Sequence, residues 1–166
     1  MKVQLQYKYL SYDIQLLIDK YLNMRVDDNE KKFEANLRDD EEGEGNLIKR
    51  LIATATSRLH LLLEKYLQRV EEDGTDALTD DSSWDYVFLG SVHTDGKKLA
   101  HLMHWCVVRW VMSAWCKMQN DLRGSENEDA EYALLVESLQ TALHRGMMPR
   151  KEKKEKPVDQ IFVVYE

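Results

Sequence analysis

The side chains in this sequence with types and spacing suited to chemistry are few. His60 and Glu64 stand one helical turn apart, and His101 and His104 are three residues apart. On a helix, either pair could offer two ligands to one divalent ion. In projection, His60 lies off the apolar centre of its helix, on the flank shared with Glu64, and His101 lies on a second face of its own. Nothing in the spacing turns the two pairs toward each other. The expectation is no bound metal or cofactor, with His60, Glu64, His101 and His104 as weak candidate ligands. Cys106 and Cys116 are the only cysteines. Ten residues of one helix separate them by about 15 Å, too far for a disulfide. A pair of buried thiols fits a reducing compartment.

Other catalytic patterns are missing. The sequence holds no G-x-x-x-x-G-K-[ST] phosphate loop, no G-x-G-x-x-G after a strand and no G-x-S-x-G elbow. Its carboxylates concentrate in loops, so no acid–base pair can be picked out, and 39–44 lacks the twelve-residue calcium-loop pattern. No catalytic residue is expected, and the chain reads as a non-enzyme. A formal net charge of −7 disfavours nucleic acid as a partner. The basic run 145–156 is interleaved with Glu152 and Glu155 and has no aromatic on which a base could stack. The first residues lack a signal-peptide pattern. The longest apolar region, 99–118, is broken by His101, His104, Arg109, Ser113 and Lys117, so no membrane span is expected. These features predict a cytoplasmic protein.

The elements that must position such residues are mainly helical. At 166 residues, with 43% hydrophobic and 32% charged residues, the chain fits one globular domain with tails. Val3, Leu5, Tyr7 and Tyr9 alternate with polar residues and predict a half-buried strand, after which Ser11 would cap a helix carrying Ile14, Leu17, Ile18, Tyr21 and Leu22. An acidic loop is expected over 27–46 and another over 73–83. Between them, 47–72 predicts an amphipathic helix with Leu47, Ile48, Leu51, Ile52, Ala55, Leu59, Leu62, Leu63, Tyr66, Leu67 and Val70 on one broad face. The apolar piece 84–92 has no decided form. A long helix is predicted over 97–118. Ser125-Glu126-Asn127-Glu128 reads as a capping box opening a fourth helix with a stripe of Tyr132, Leu135, Val136, Leu139, Ala142 and Leu143. The predicted organisation is a helical domain over 1–146, followed by a charged tether and a terminal strand over 147–166. Ile161, Phe162, Val163, Val164 and Tyr165 supply that strand.

The helix 97–118 is apolar on two sides. Leu99, Met103, Cys106, Val107, Trp110, Ala114 and Met118 share one face. Trp105, Val108 and Met112 fall opposite, with His101 in line and Trp115 at one edge, and a seam through Lys98, Arg109, Ser113 and Lys117 stays polar. Such a helix belongs inside something. Either the rest of the domain wraps it, or the second face meets another subunit, where Trp and Met are favoured. The terminal strands pose the same choice. They pair with each other on the bundle, or one joins a neighbour's sheet.

The predicted fold class is thus mainly α, a bundle of about four helices with a small β element formed by the N- and C-terminal strands. The function read from it is non-enzymatic assembly. The chain would oligomerise, or join other structural proteins, through Trp105, Val108, Met112 and Trp115 and through a strand carrying Ile161, Val163 and Tyr165. In broad layout the chain resembles the small connector or adaptor proteins that form rings between phage heads and tails, which are also helical bundles with strand-like extensions. That resemblance implies a virion component and carries over no functional residue. Two alternatives stand beside it. Histidine-rich helical bundles that act as metal-dependent hydrolases or transferases have a similar general appearance, and a cytosolic protein-binding regulatory module would use the same apolar face.

Overall fold

The computed structural model describes residues 1–24, 43–73 and 78–147. They form a mainly helical fold of four helices with a small three-stranded antiparallel sheet. In chain order the elements are β1 (Lys2–Gln6), α1 (Tyr7–Met24), α2 (Gly43–Leu63), a 3-10 turn (Glu64–Tyr66), β2 (Leu67–Asp73), β3 (Ser83–Phe88), α3 (Gly96–Met118) and α4 (Leu122–Met147). The predicted strand 161–165 and its tether lie outside the described residues, as does the acidic stretch 25–42.

Among the described residues the sheet joins the N-terminal strand to two internal segments, and the expected pairing with the C-terminal strand lies outside them. The strand order is β1-β3-β2, so the N-terminal strand pairs with the internal segment Ser83–Phe88. Trp84, Tyr86 and Phe88 are buried. A strand that deep must satisfy its backbone on both edges, and β1 and β2 do so. This resolves the form of the piece 84–92, which begins as the central strand. It also converts the end of the predicted helix 47–72. The helix stops at Leu63, and Leu67 and Val70 enter β2, opposite Phe88 and Tyr86. The predicted loop 73–83 shortens accordingly, with β2 running to Asp73 and β3 starting at Ser83.

At the N-terminus, Tyr7 serves both periods. Its N–H donates to the Ser82 carbonyl at 2.9 Å as the last rung of the ladder, and it opens α1. Tyr7, Leu10, Ile14 and Ile18 are all buried. Their three- and four-residue spacing overrides the alternation that would have carried the strand to Tyr9. Ser11 therefore lies within α1 and does not cap it.

Helix α3 is the axis of the fold. It packs most extensively on α4 and also touches α2, α1 and β1. Asp95 caps it, accepting the Lys97 N–H at 3.1 Å. At its other end the Asp121 N–H bonds the Cys116 carbonyl at 2.9 Å and the Asn120 N–H bonds that of Lys117 at 3.2 Å, with Asn120 left-handed at φ 56°. These are the bonds of a Schellman motif, with asparagine at the position glycine usually fills.

Asp121 closes one helix and caps the next. Its Oδ1 accepts the Gly124 N–H at 2.9 Å, so α4 starts at Leu122 and not at the predicted capping box. A side chain at Gly124 would overlap the Asp121 carboxylate, which is why a glycine stands there. Ser125 falls inside the first turn and its hydroxyl donates to the Leu122 carbonyl at 2.8 Å. Asp121→Ala is therefore expected to lower stability by about 1 kcal/mol or more. Ser125→Ala should cost clearly less. Urea melts of the two variants rank the caps.

Candidate functional site

The second face of α3 is core within this chain. Val108 and Met112 are 0% exposed and Trp115 is 1% exposed, beside Cys106, Val107 and Cys116. Of the four residues expected to face another subunit, only Trp105 keeps partial exposure. The other three have no surface left for a second chain, because α1, α2, α4 and β1 all pack around α3. The expectation that this face is an interface is corrected to the alternative, that the domain wraps its own central helix. Ile161, Val163 and Tyr165 lie outside the described residues.

The polar seam of α3 has a use that the sequence did not reveal. Arg109, Ser113 and Lys117 meet the first turns of α4. Arg109 donates to both oxygens of Glu128, at 3.1 and 3.0 Å, Ser113 donates to Asp129, and Lys117 pairs with Asp129 at 2.8 Å. The Tyr21 hydroxyl of α1 also donates to Glu128, at 2.8 Å. The Glu128 side chain is only 4% exposed, so a buried carboxylate ties three helices together. Burial, then the bond to Glu128, pushes the Tyr21 hydroxyl well above the usual tyrosine range. The bonds from Lys117 and then Ser113 hold Asp129 below its ordinary 3.8. What Asp129 contributes to stability is thus present above its unfolded pKa and lost as the pH falls through its folded value. Its exposure keeps that contribution small.

Trp105 lies on the same stripe of α3, one turn before Arg109, and its ring is held from several sides. His104 stands edge-on at 5.6 Å between centroids and His101 at 6.4 Å, while the Arg109 guanidinium lies 5.5 Å over the ring. His104 in turn bonds Asp13 of α1 at 2.7 Å. Asp13 follows Tyr12 on α1, whose outer face carries Tyr9, Tyr12 and Leu16, 55%, 67% and 56% exposed. Three large apolar side chains at this spacing form a stripe on one helix face. The Asp13–His104 contact joins that stripe to Trp105. A rigid, half-buried tryptophan beside exposed tyrosines is the kind of group that anchors protein interfaces at low entropic cost.

The metal candidates do not assemble. His60 and Glu64 are exposed near the end of α2, and His101 and His104 flank Trp105 on α3. Among the described residues no group of three or more His, Cys, Asp or Glu could hold a metal ion.

Both thiols are buried, and neither is in a disulfide. Burial pushes Cys106 up from an ordinary 9.0 to about 12. Neither cysteine should react with a thiol reagent in the folded protein, and both should react in denaturant. The neutral Cys106 thiol contributes stability that is full below pH 9.0 and declines as the pH rises through about 12. An alkaline series of urea melts checks that sign.

No helix among the described residues is long and apolar enough to cross a membrane. Compared with protein-family models, with curated proteins and with solved structures, the chain matches none.

Proposed function

We propose that this chain is a non-enzymatic assembly protein that associates with further copies of itself through the outer face of α1, with Trp105 at its rim. The observation that carries this reading is the apolar stripe of Tyr9, Tyr12 and Leu16, exposed on successive turns of one helix. Leu61, Met118, Leu122 and Leu134 are also exposed, but scattered apolar residues on a surface need no explanation. Three on one helix face do.

A second copy suits the stripe because it is self-complementary. An antiparallel, two-fold packing of α1 on α1 sets Tyr9 of one chain against Leu16 of the other, with Tyr12 near the axis. Protein–protein assembly of this kind is also the work of the connector-type virion components that the chain resembles in layout. In that specific form the protein would be a phage structural component. Catalysis is not part of the reading.

The test is the solution mass of the full chain by size exclusion with light scattering, beside Tyr12→Glu/Leu16→Glu. The expected result is a defined oligomer for the wild type and a smaller, fully helical species for the variant, since both positions are exposed. A wild-type monomer at micromolar concentration would remove self-assembly. An oligomer indifferent to the double substitution would move the interface away from α1.

A further inference from the structure

We propose that the outer edge of β1 is the seat for segment 161–165 of a second copy of the chain, an inference that deepens the self-assembly reading and rests on it. The Met1 carbonyl accepts the Phe88 N–H at 2.8 Å and the Tyr7 N–H donates to the Ser82 carbonyl at 2.9 Å. Between them Val3 faces Tyr86 and Leu5 faces Trp84. In an antiparallel pair, hydrogen-bonded and non-bonded positions alternate. The odd residues of β1 therefore bond β3, and the N–H and C=O groups of Lys2, Gln4 and Gln6 point away from it. At Lys2 and Gln4 these groups lie along the open edge of the sheet, since among the described residues β1 has a neighbouring strand on one side only, while Gln6 leads into α1.

The two edges of the sheet are not alike. β2 carries Arg69, Glu71 and Glu72, with Arg69 and Glu71 paired at 2.7 Å, and charge on an edge strand discourages added strands. β1 offers Gln4 and Gln6, whose side chains bond each other at 2.9 Å, and Lys2, whose charge is engaged by Asp85 at 2.7 Å. Its edge is the less defended.

The chain carries a matching occupant. Ile161-Phe162-Val163-Val164-Tyr165 is uncharged, β-branched and aromatic, and equals β1 in length. The bundle also delivers its C-terminus close to this edge. The Thr94 hydroxyl donates to the Ala142 carbonyl at 2.6 Å, near the end of α4. Two residues on, a Cβ at Gly96 would lie 3.3 Å from the Met1 sulfur, at the start of β1. From Met147 the stretch 148–160 can extend roughly 40 Å. That length allows the tail to reach the β1 edge of a packed neighbour.

The experiment uses the full chain with Val163→Pro, which removes a backbone donor from the tail, with and without Gln4→Pro. Proline at position 4 deletes an N–H that points away from β3, so the β1–β3 bonds survive. A labelled peptide of residues 157–166 is the probe. The expected result is an oligomer for the wild type and a smaller folded species for Val163→Pro. The peptide should bind Val163→Pro at least ten-fold more tightly than wild type, whose edges are filled, and bind the double variant at least ten-fold more weakly than the single. Tyr12→Glu should lower the mass while leaving peptide binding to Val163→Pro intact. An oligomer that survives Val163→Pro, with no peptide binding, overturns the strand exchange while assembly through α1 stands. A wild-type monomer whose Val163→Pro form binds the peptide overturns exchange between copies, since the tail would then fill its own edge. A wild-type monomer with no peptide binding to either form overturns both. Should Gln4→Pro fail to fold, the mass of Val163→Pro and its peptide binding still decide.

Discussion

Glu128→Ala is expected to lower the stability of the fold by about 3–5 kcal/mol, the range for removing one partner of a buried ion pair. The Glu128 carboxylate is 4% exposed and accepts from Arg109 twice and from Tyr21 once. Its removal leaves a guanidinium only 25% exposed without its counter-charge, and the hydroxyl of a half-buried tyrosine without that acceptor. Both groups keep their desolvation penalty and lose what offset it. Glu128→Gln should lose less, because an amide oxygen can still accept from Tyr21 or Arg109. Urea unfolding of Glu128→Ala, Arg109→Met and the double variant measures the coupling. If Glu128 is tied to Arg109, the double variant loses much less than the sum of the singles. Additive losses would show that the contact contributes nothing of its own.

Met112→Asp is expected to prevent stable folding, with a loss above about 4 kcal/mol. Met112 is 0% exposed in the core of α3, so an aspartate there has no water and no cation designed to meet it. Trp105→Asp should behave quite differently. Trp105 is partly exposed and already stands among His101, His104 and Arg109, so the substitution should leave a folded chain with a modest loss. Far-ultraviolet circular dichroism and urea melts of the two single variants separate core from surface on the same helix. A folded, monodisperse Met112→Asp chain would return that face of α3 to the surface and reopen it as an interface.

The fate of α3 also shows where sequence reasoning reaches its limit. That the helix is apolar on two sides, and must therefore be enclosed, follows from composition and a period of 3.6 residues. Whether its own chain or another encloses it depends on how α1 and β1 pack, which no local pattern encodes. The same holds for the polar seam. Arg109, Ser113 and Lys117 form a regular stripe in the sequence, but their meaning comes from Glu128 and Asp129 lying opposite after the turn at Asn120.

By itself the sequence determined the helical class, the stripes of α2 and α4, the extent of α3 to within a residue, and the strand character of the N-terminus. These are local properties, set by side-chain period and by the geometry of one helix or strand. Tertiary structure alone decided the partner of β1, the conversion of Leu67–Glu72 from predicted helix to strand, and the start of α4 at Leu122. In the first two cases the deciding demand was remote: a buried central strand needs hydrogen bonds on both edges, whichever segments supply them. The outer stripe of α1 lies between the two. Tyr9, Tyr12 and Leu16 carry a helical spacing that is legible in the sequence, but alternation from Val3 to Tyr9 assigns Tyr9 to a strand. Only the switch at Tyr7, forced by the burial of Leu10, Ile14 and Ile18, brings the three onto one exposed face.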